Sequence, residues 1–399
     1  MSLLHPAAAL ARLLASAGPL GTETLLLAVA AGRIAAEPVH ARLTQPPFAA
    51  SAMDGWAVRW ADMPGPFRII GESAAGHGFA GHIGTGETVR IFTGAPLPAG
   101  ADTVIVQEEV HREGQIAILS GEGPPTIGAH IRKAGQDFAE GSSVITQGTR
   151  LTARHLGLLA AAGHGSVRVL RRPRVTLIAT GDELVPPGTR PGPGQIISSN
   201  GVMLAALFTA AGAHVTDLGI IPDDSSAIAA GISGTEADLI VTIGGASVGD
   251  HDLIIPVLQG LGATLDFWKI AMRPGKPLIA GALGSTRILG LPGNPVSAYV
   301  CALLFGWPLV RALGGRATEL PTIRAPLAVA LPASGNRRDH LRAWLLPDGS
   351  VQPAPAQDSA QLAALAQAEV LIIREAHAPP AETGETVTCI ALDMFSDVA

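Results

Sequence analysis

The chain has 399 residues, of which 47% are hydrophobic, 15% charged and 4% aromatic, and its net charge is −6 at pH 7. That length is too great for one core and predicts two to four domains, while the apolar content excludes a disordered chain. The acidic balance argues against a general nucleic-acid binder, the few aromatics against a base-stacking surface, and no apolar run is read as long enough to cross a bilayer. Cys301 and Cys389, the two cysteines, fit neither a disulfide framework nor a zinc site. With no export signal read at the N-terminus, this predicts a cytoplasmic protein.

Residues 1–36 read as helix, over 7–15 and again over 24–34 after the Gly18-Pro19 break, with Leu10, Leu13 and Leu14 on one face and Leu25, Leu26 and Val29 on another. From Pro38 the character changes. A loop from Pro46 leads into a strand, and residues 58–145 read as short strands separated by Gly and Pro, a small β domain. Gly76-His-Gly-Phe-Ala-Gly81 matches the dinucleotide fingerprint by letter. A strand-like segment follows it, where a cofactor loop needs a helix, so it reads as a turn. Residues 152–162 are helical. From Arg174 strands alternate with helices: strands at 175–179, 215–221, 239–243, 277–280 and 287–291, helices at 203–211, 226–232 and from Leu253. Such alternation predicts a parallel sheet with right-handed crossovers and ligands at the carboxyl ends of its strands. After Gly314-Gly315 the chain turns β-like again, with strands at 327–331, 341–346 and 370–374 and a turn at Pro347-Asp-Gly349.

Chemistry-bearing residues gather in the loops after the predicted strands. Gly244, Gly245 and Gly249 break the strand 239–243 into a loop whose N–H groups suit a phosphate, and Asp250 or Asp252 could cap the following helix. Asp182-Glu183 and Asp223-Asp224 follow two other strands. Carboxylates at one sheet edge suit a hard cation such as Mg²⁺ shared with substrate phosphates. Lys269, Arg273 and Lys276 stand on a loop stiffened by Pro274, Gly275 and Pro277, a design for binding oxyanions. Gly245-Ala-Ser-Val-Gly249 matches a hydrolase nucleophile elbow, but several residues separate Ile243 from the helix, so a Ser247 hydrolase is a distant alternative. The twelve histidines show no paired metal spacing.

Seven segments in order give the chain a wider resemblance: 51–57 around Asp54, 93–102 from Thr93, 180–184, 199–201, 244–252, 273–277 and 292–297. Together they resemble the molybdopterin molybdenumtransferase family, related to the C-terminal domain of gephyrin. The resemblance implies an α/β plus β fold in an elongated multidomain subunit. Its parts are an N-terminal helical segment (1–24), a helical connecting domain (25–41 and 139–172), an inserted β domain (42–138), a parallel-sheet α/β molybdopterin-binding domain (173–317) and a C-terminal β domain (318–399). It implies metal-dependent insertion of molybdate into adenylylated molybdopterin, with release of AMP, by a homodimer whose cleft is shared between subunits. The molybdopterin adenylyltransferase and molybdoenzyme apoproteins are expected as protein partners, and no nucleic acid or membrane.

Carried over residue by residue, catalytic positions fall on Asp54, Thr93, Asp137, Glu183 and Asp223. Mg²⁺ falls to Glu183, Asp223 and Asp252. The pterin phosphate falls to Gly244, Gly245, Ser247 and Gly249, with Asn294 and Ser297 close by, and molybdate to Lys269, Arg273, Arg342 and Ser359, while Lys276 is expected to bind cofactor as part of the same cationic loop. Four departures stand out. Arg273 replaces a common lysine, Trp56 a common tyrosine and Asp358 a frequent glycine, and Ala363-Ala364 stand where relatives often carry a second serine after Ser359. Two alternatives share parts of this pattern: the adenylyltransferase itself, a single α/β domain, and a non-catalytic scaffold of the gephyrin type.

Overall fold

Leu239–Ile243 form a strand buried at all five positions, which demands cover on both faces. The computed structural model, which describes residues 3–245 and 253–392 and only the backbone of Phe267 and Trp268, supplies that cover. The strand lies within a six-stranded sheet in the order His214–Ile221, Arg174–Thr180, Leu239–Ile243, Thr286–Leu291, Pro277–Leu283, Thr264–Lys269. Alternation sorts its side chains. Leu177, Val241 and Leu289 pack with Phe208, Trp307 and Leu309 from the helices on one face. Ile178, Ile240 and Ile288 pack with Ile228, Ile232 and Leu258 from the other.

The first four strands are parallel. The last two are antiparallel, so the all-parallel sheet expected from the sequence is mixed at one edge. Gly284, at φ +59°, turns Pro277–Leu283 directly back into Thr286–Leu291, which leaves no chain for a crossover helix.

The chain divides into two units, Met1–Glu23 with Leu170–Ala399, and Thr24–Val169. In the first, Pro295–Leu313 is 19 residues long with a hydropathy of 1.6, so the expectation that no run could match a membrane span is corrected. Its apolar window is 83% buried, and the packing of Val300, Leu303, Phe305 and Leu309 in the sheet core accounts for that composition. A widened π turn at Ala302–Gly306 precedes Pro308, which has no N–H to give to a regular helical ladder. A second sheet has the order Met272–Arg273, Arg338–Leu345, Val370–Arg374, Thr386–Ala391, Thr322–Pro326. The strand expected at 327–331 lies one step earlier, at Thr322–Pro326, where it pairs with Thr386–Ala391.

In the second unit, Gly55–Val58 is a central strand between Thr103–Val106 and Glu87–Ile91 in another six-stranded sheet. Gly55 is obligatory there, since a Cβ would stand 1.9 Å from the Ile105 carbonyl oxygen. The helix expected at 24–34 is absent. Thr22–Leu26 is a strand paired with Ser166–Leu170, followed by a 3-10 turn at Leu27–Val29. Leu25 and Leu27 pack on a small cluster containing Leu151, Leu159 and Val167, and that tertiary pairing outweighs local helix preference. In the stretch expected as a connecting domain, Ala153–Ala161 is the α-helix among the described residues.

Asp238 ties the entry ends of three strands together. Its carboxylate accepts both Arg171 guanidinium nitrogens at 2.8 Å and the Arg174 N–H at 2.7 Å. Its own N–H donates to the Arg174 carbonyl, and its carbonyl accepts from Arg287 N–H, each at 2.9 Å. Burial pushes the Asp238 carboxyl up, but the bonds and charges of Arg171 and Arg174 together outweigh it and leave the group below its ordinary value. A depressed carboxyl stabilises the fold above the ordinary carboxylate range, and that contribution fades as pH falls through it. Asp238→Ala is therefore expected to cost about 2–3 kcal/mol in urea unfolding near neutral pH. An unaltered urea midpoint would remove this node from the account.

Candidate functional site

The parallel strands end side by side at Thr180, Ile221, Ile243 and Leu291. The loops leaving them border a cleft of 790 Å³. It sits where chain order reverses across the sheet, between Arg174–Thr180 and Leu239–Ile243, the place where open α/β sheets receive ligands. Glu183, Asp223, Gly244, Gly245, Asn294 and Ser297 all line it. Gly244 is required by close approach and by conformation: its φ is +90°, and a Cβ would lie 3.3 Å from the Thr180 carbonyl oxygen.

Neighbouring residues set the orientation of this rim. Asp224 caps the helix Ser225–Ser233 by accepting the Ala227 N–H at 2.8 Å. That leaves Asp223, exposed, as the acid at the cleft, and its N–H donates to Asp182 Oδ1 at 3.3 Å. Two helices begin at the cleft with no side-chain cap, Asn200–Ala211 and the one opening at Pro295. The dipoles of both favour an anion there, and the first N–H groups of Asn200–Ala211 have no side-chain acceptor, whereas in the second helix Pro295 has no N–H and the Val296 N–H is taken by the Ser359 carbonyl. Asn200 donates from Nδ2 to the Gly293 carbonyl at 2.7 Å, while its buried Oδ1 has no protein partner. Ser198, Ser199 and Asn200 line the cleft but were not among the assigned site residues. Polar residues opening a helix directly after a strand were the available signal.

The cationic loop is anchored by backbone hydrogen bonds. Leu4 N–H donates to the Lys269 carbonyl and Ala271 N–H to the Leu4 carbonyl, each at 2.8 Å, and Ile270 N–H to the Lys276 carbonyl at 2.7 Å. Met272–Arg273 then joins the C-terminal sheet, parallel to Arg338 and Asp339, and Arg273 Nε lies 3.4 Å from Asp339 Oδ1. Lys269 is half-buried, and Arg273 and Lys276 are exposed. None of the three lines the cleft, although Pro277 does.

Arg342 faces inward, only 1% exposed. Its guanidinium donates to Gln357 Oε1 at 3.3 Å, the Gln361 carbonyl at 3.1 Å and the Ala356 carbonyl at 3.2 Å. It thus braces the loop that carries Ser359. Burial pushes its pKa below the usual guanidinium value, against the pull of Asp358. Ser359 meets the cleft rim, where its Oγ accepts from Asn294 Nδ2 at 3.2 Å and its carbonyl from Val296 N–H at 3.1 Å. Ser247, Gly249 and Asp252, with Asp250, lie outside the described residues.

The second unit holds Asp54, Thr93 and Asp137. Asp54 Oδ1 accepts both the Thr93 N–H at 2.7 Å and the Thr93 hydroxyl at 2.8 Å. Those two bonds, the backbone one first, then the positive Arg90, hold the Asp54 carboxyl below its ordinary value. Asp137 is exposed, in a separate hollow with Gln45, Pro46, Arg132 and Gln136.

Fold and cleft define a multidomain protein of the α/β class, with a ligand site at the carboxyl ends of parallel strands. Residues 4–163 match the family described as MoeA N-terminal region (domain I and II), 176–312 a probable molybdopterin binding domain, and 324–392 the MoeA C-terminal region (domain IV). A molybdopterin molybdenumtransferase of Haemophilus influenzae is 36% identical over 380 residues, 93% of this chain and 94% of that protein. One from Bacillus subtilis is 36% identical over 301 residues, 73% of this chain and 70% of that protein. The crystal structure of a molybdopterin biosynthesis moea protein from Pyrococcus horikosii superimposes with a TM-score of 0.84 at 30% identity, covering 98% of this chain and 99% of that one. The chain belongs to the molybdopterin molybdenumtransferase family.

His340 lies two residues before Arg342 and is 2% exposed. It bonds to the Arg273 carbonyl, while its Nδ1 has no partner. Burial, then the Arg338 charge, push the imidazole down to about 3. The folded chain therefore refuses a proton that the unfolded chain accepts below its ordinary value. Stability is full above that value and falls, by up to about 1.4 kcal/mol per pH unit, as the solution is acidified below it. Unfolding measured at about pH 7.5 and about pH 5.5 should show a smaller acid loss in His340→Phe than in the parent. Identical losses in the two proteins would refute this assignment.

Proposed function

We propose that this chain inserts molybdenum into adenylylated molybdopterin, with release of AMP. The observation that carries the reading is the cleft lined by Glu183 and Asp223 together with Gly244, Gly245 and two helix starts that have no side-chain cap. An anionic nucleotide is attracted by the helix dipoles and N–H groups, while the carboxylates invite a cation between. Relatives matched over more than 90% of their length carry the transferase name, which disfavours the adenylyltransferase and scaffold readings.

The donor set fits Mg²⁺. No group of three or more His, Cys, Asp or Glu forms a metal site among the described residues, but Mg²⁺ needs only one or two carboxylates when phosphates supply further oxygens. Glu183 and Asp223 would hold it, with Asp252 as the third acid. When bound, the ion offsets charge on the phosphoryl oxygens. Gly244 and Gly245 let the backbone approach the pterin phosphate, and Asn294 and Ser297 fix its position on the rim. Water adds to phosphorus and the P–O–P bond breaks, giving AMP and molybdopterin. Two molybdate oxygens are exchanged for the two dithiolene sulfurs and leave as water, taking up the two thiol protons and two more from solvent.

Lys269, Arg273 and Lys276 hold the molybdate dianion by charge, and Ser359 adds a hydroxyl. Arg342 contributes to that site through the loop it braces. Asp54, Thr93 and Asp137 complete the cleft of a second copy in a homodimer. The protein works in the cytoplasm, takes its substrate from the adenylyltransferase and passes product to molybdoenzyme apoproteins.

AMP release from adenylylated molybdopterin, with molybdate and Mg²⁺ present, tests this. Glu183→Gln, Asp223→Asn and Asp54→Asn should each lower kcat by at least about a hundredfold. Parent-level turnover in Glu183→Gln and Asp223→Asn would sink the metal assignment, and in Asp54→Asn the shared-cleft assignment.

A further inference from the structure

We propose that Arg90 is a positioning residue for Asp54: it clamps the backbone from which that carboxylate projects. The inference rests on Asp54 taking part in the reaction, as proposed above. Arg90 stands on the strand Glu87–Ile91, beside the central strand Gly55–Val58. Its guanidinium carbon lies 5.3 Å from the Trp56 ring centre and 4.9 Å from that of Phe92, so two rings hold it.

From there it donates to the Gly55 carbonyl at 3.1 Å and to Gln107 Oε1 at 2.5 Å. Gln107 in turn donates its backbone N–H to the Asp54 carbonyl at 3.0 Å. The carbonyls of Asp54 and Gly55 are both fixed by this one group of residues. Thr93, three residues after Arg90, fixes Oδ1 of the Asp54 side chain. Oδ2 lies outside these bonds. A carboxylate anchored at its backbone and at one oxygen presents the other in a constant direction, which is what a reacting geometry needs.

Arg90 also acts on the charge of Asp54. It is the charged side chain that acts on this carboxyl, in the direction that favours ionisation. Glu108 is spent nearby on the Gln107 amide, accepting from Nε2 at 3.1 Å. Lysine cannot reproduce the arrangement, because a single ammonium has neither the planar fork nor the same stacking on two rings.

The test uses the full-length protein with Arg90→Met, Arg90→Lys and the milder Gln107→Met, which keeps the backbone N–H. AMP release should show kcat down by about a hundredfold in Arg90→Met, with KM for nucleotide and molybdate held within about twofold. Arg90→Lys should recover only a small part, and Gln107→Met should fall between the parent and Arg90→Met. Independently of turnover, carboxyl-carbon NMR of aspartate-labelled protein, with the Asp54 signal assigned by its loss in Asp54→Asn, should titrate at higher pH in Arg90→Met. A parent kcat together with an unmoved Asp54 titration overturns the proposal, as does a loss confined to KM. Full activity in Asp54→Asn would instead overturn the underlying reading of the site. The NMR comparison would still report whether Arg90 governs that carboxylate.

Discussion

The parallel register of three strands is the constraint on which the rest depends. Arg174–Thr180, Leu239–Ile243 and Thr286–Leu291 run the same way and pair residue against residue, so their carboxyl ends cannot avoid one another. Every loop leaving them emerges at one edge. Asp238 secures the opposite edge, joining the entries of these strands through backbone bonds and two arginines. A shift in that register would move Glu183, the glycine pair and Asn294 apart together, because no one of them is placed independently.

A second principle is the splicing of one domain's loop into another's sheet. Met272–Arg273 belongs by sequence to the α/β region, yet pairs with Arg338 and Asp339 of the C-terminal region. His340 continues the contact through the Arg273 carbonyl, and Arg342, on the same strand, braces the loop bearing Ser359. One strand, Arg338–Leu345, therefore governs both the cationic loop and the serine loop. The Arg342 guanidinium donates to Gln357 and to the carbonyls of Gln361 and Ala356, so its bonds go to the protein itself.

The unit Thr24–Val169 uses a different device for presenting an acid. Asp54 sits at the head of a buried central strand whose first residue, Gly55, tolerates no side chain. The carboxylate is held by Thr93 and its backbone by Gln107, with Arg90 holding the next carbonyl while its guanidinium lies over two aromatic rings. Three segments distant in sequence meet at one carboxyl group. Neutral hydrogen bonds and a stacked cation thus keep it ionised without burying it.

Much of this was legible in the chain. Apolar runs such as Leu239–Ile243 and the glycine and acid loops after them announce strands with a ligand edge, since local hydrophobicity and backbone freedom are written residue by residue. Helices at Pro6–Leu14, Ala153–Ala161 and Ser225–Ser233 carry their own periodicity and caps. What local pattern could not decide was pairing. Residues 24–34 hold leucines at helical spacing, but a partner strand at Ser166–Leu170 makes part of them β. The antiparallel edge, the burial of Arg342, and the contact of Arg90 with Trp56 likewise depend on contacts between residues far apart in the chain. Composition and spacing determined which elements and which chemistry this protein carries. Only the folded structure decided which charges reach the cleft and which are used to hold it, because that outcome depends on hydrogen-bond partners brought together by the sheets.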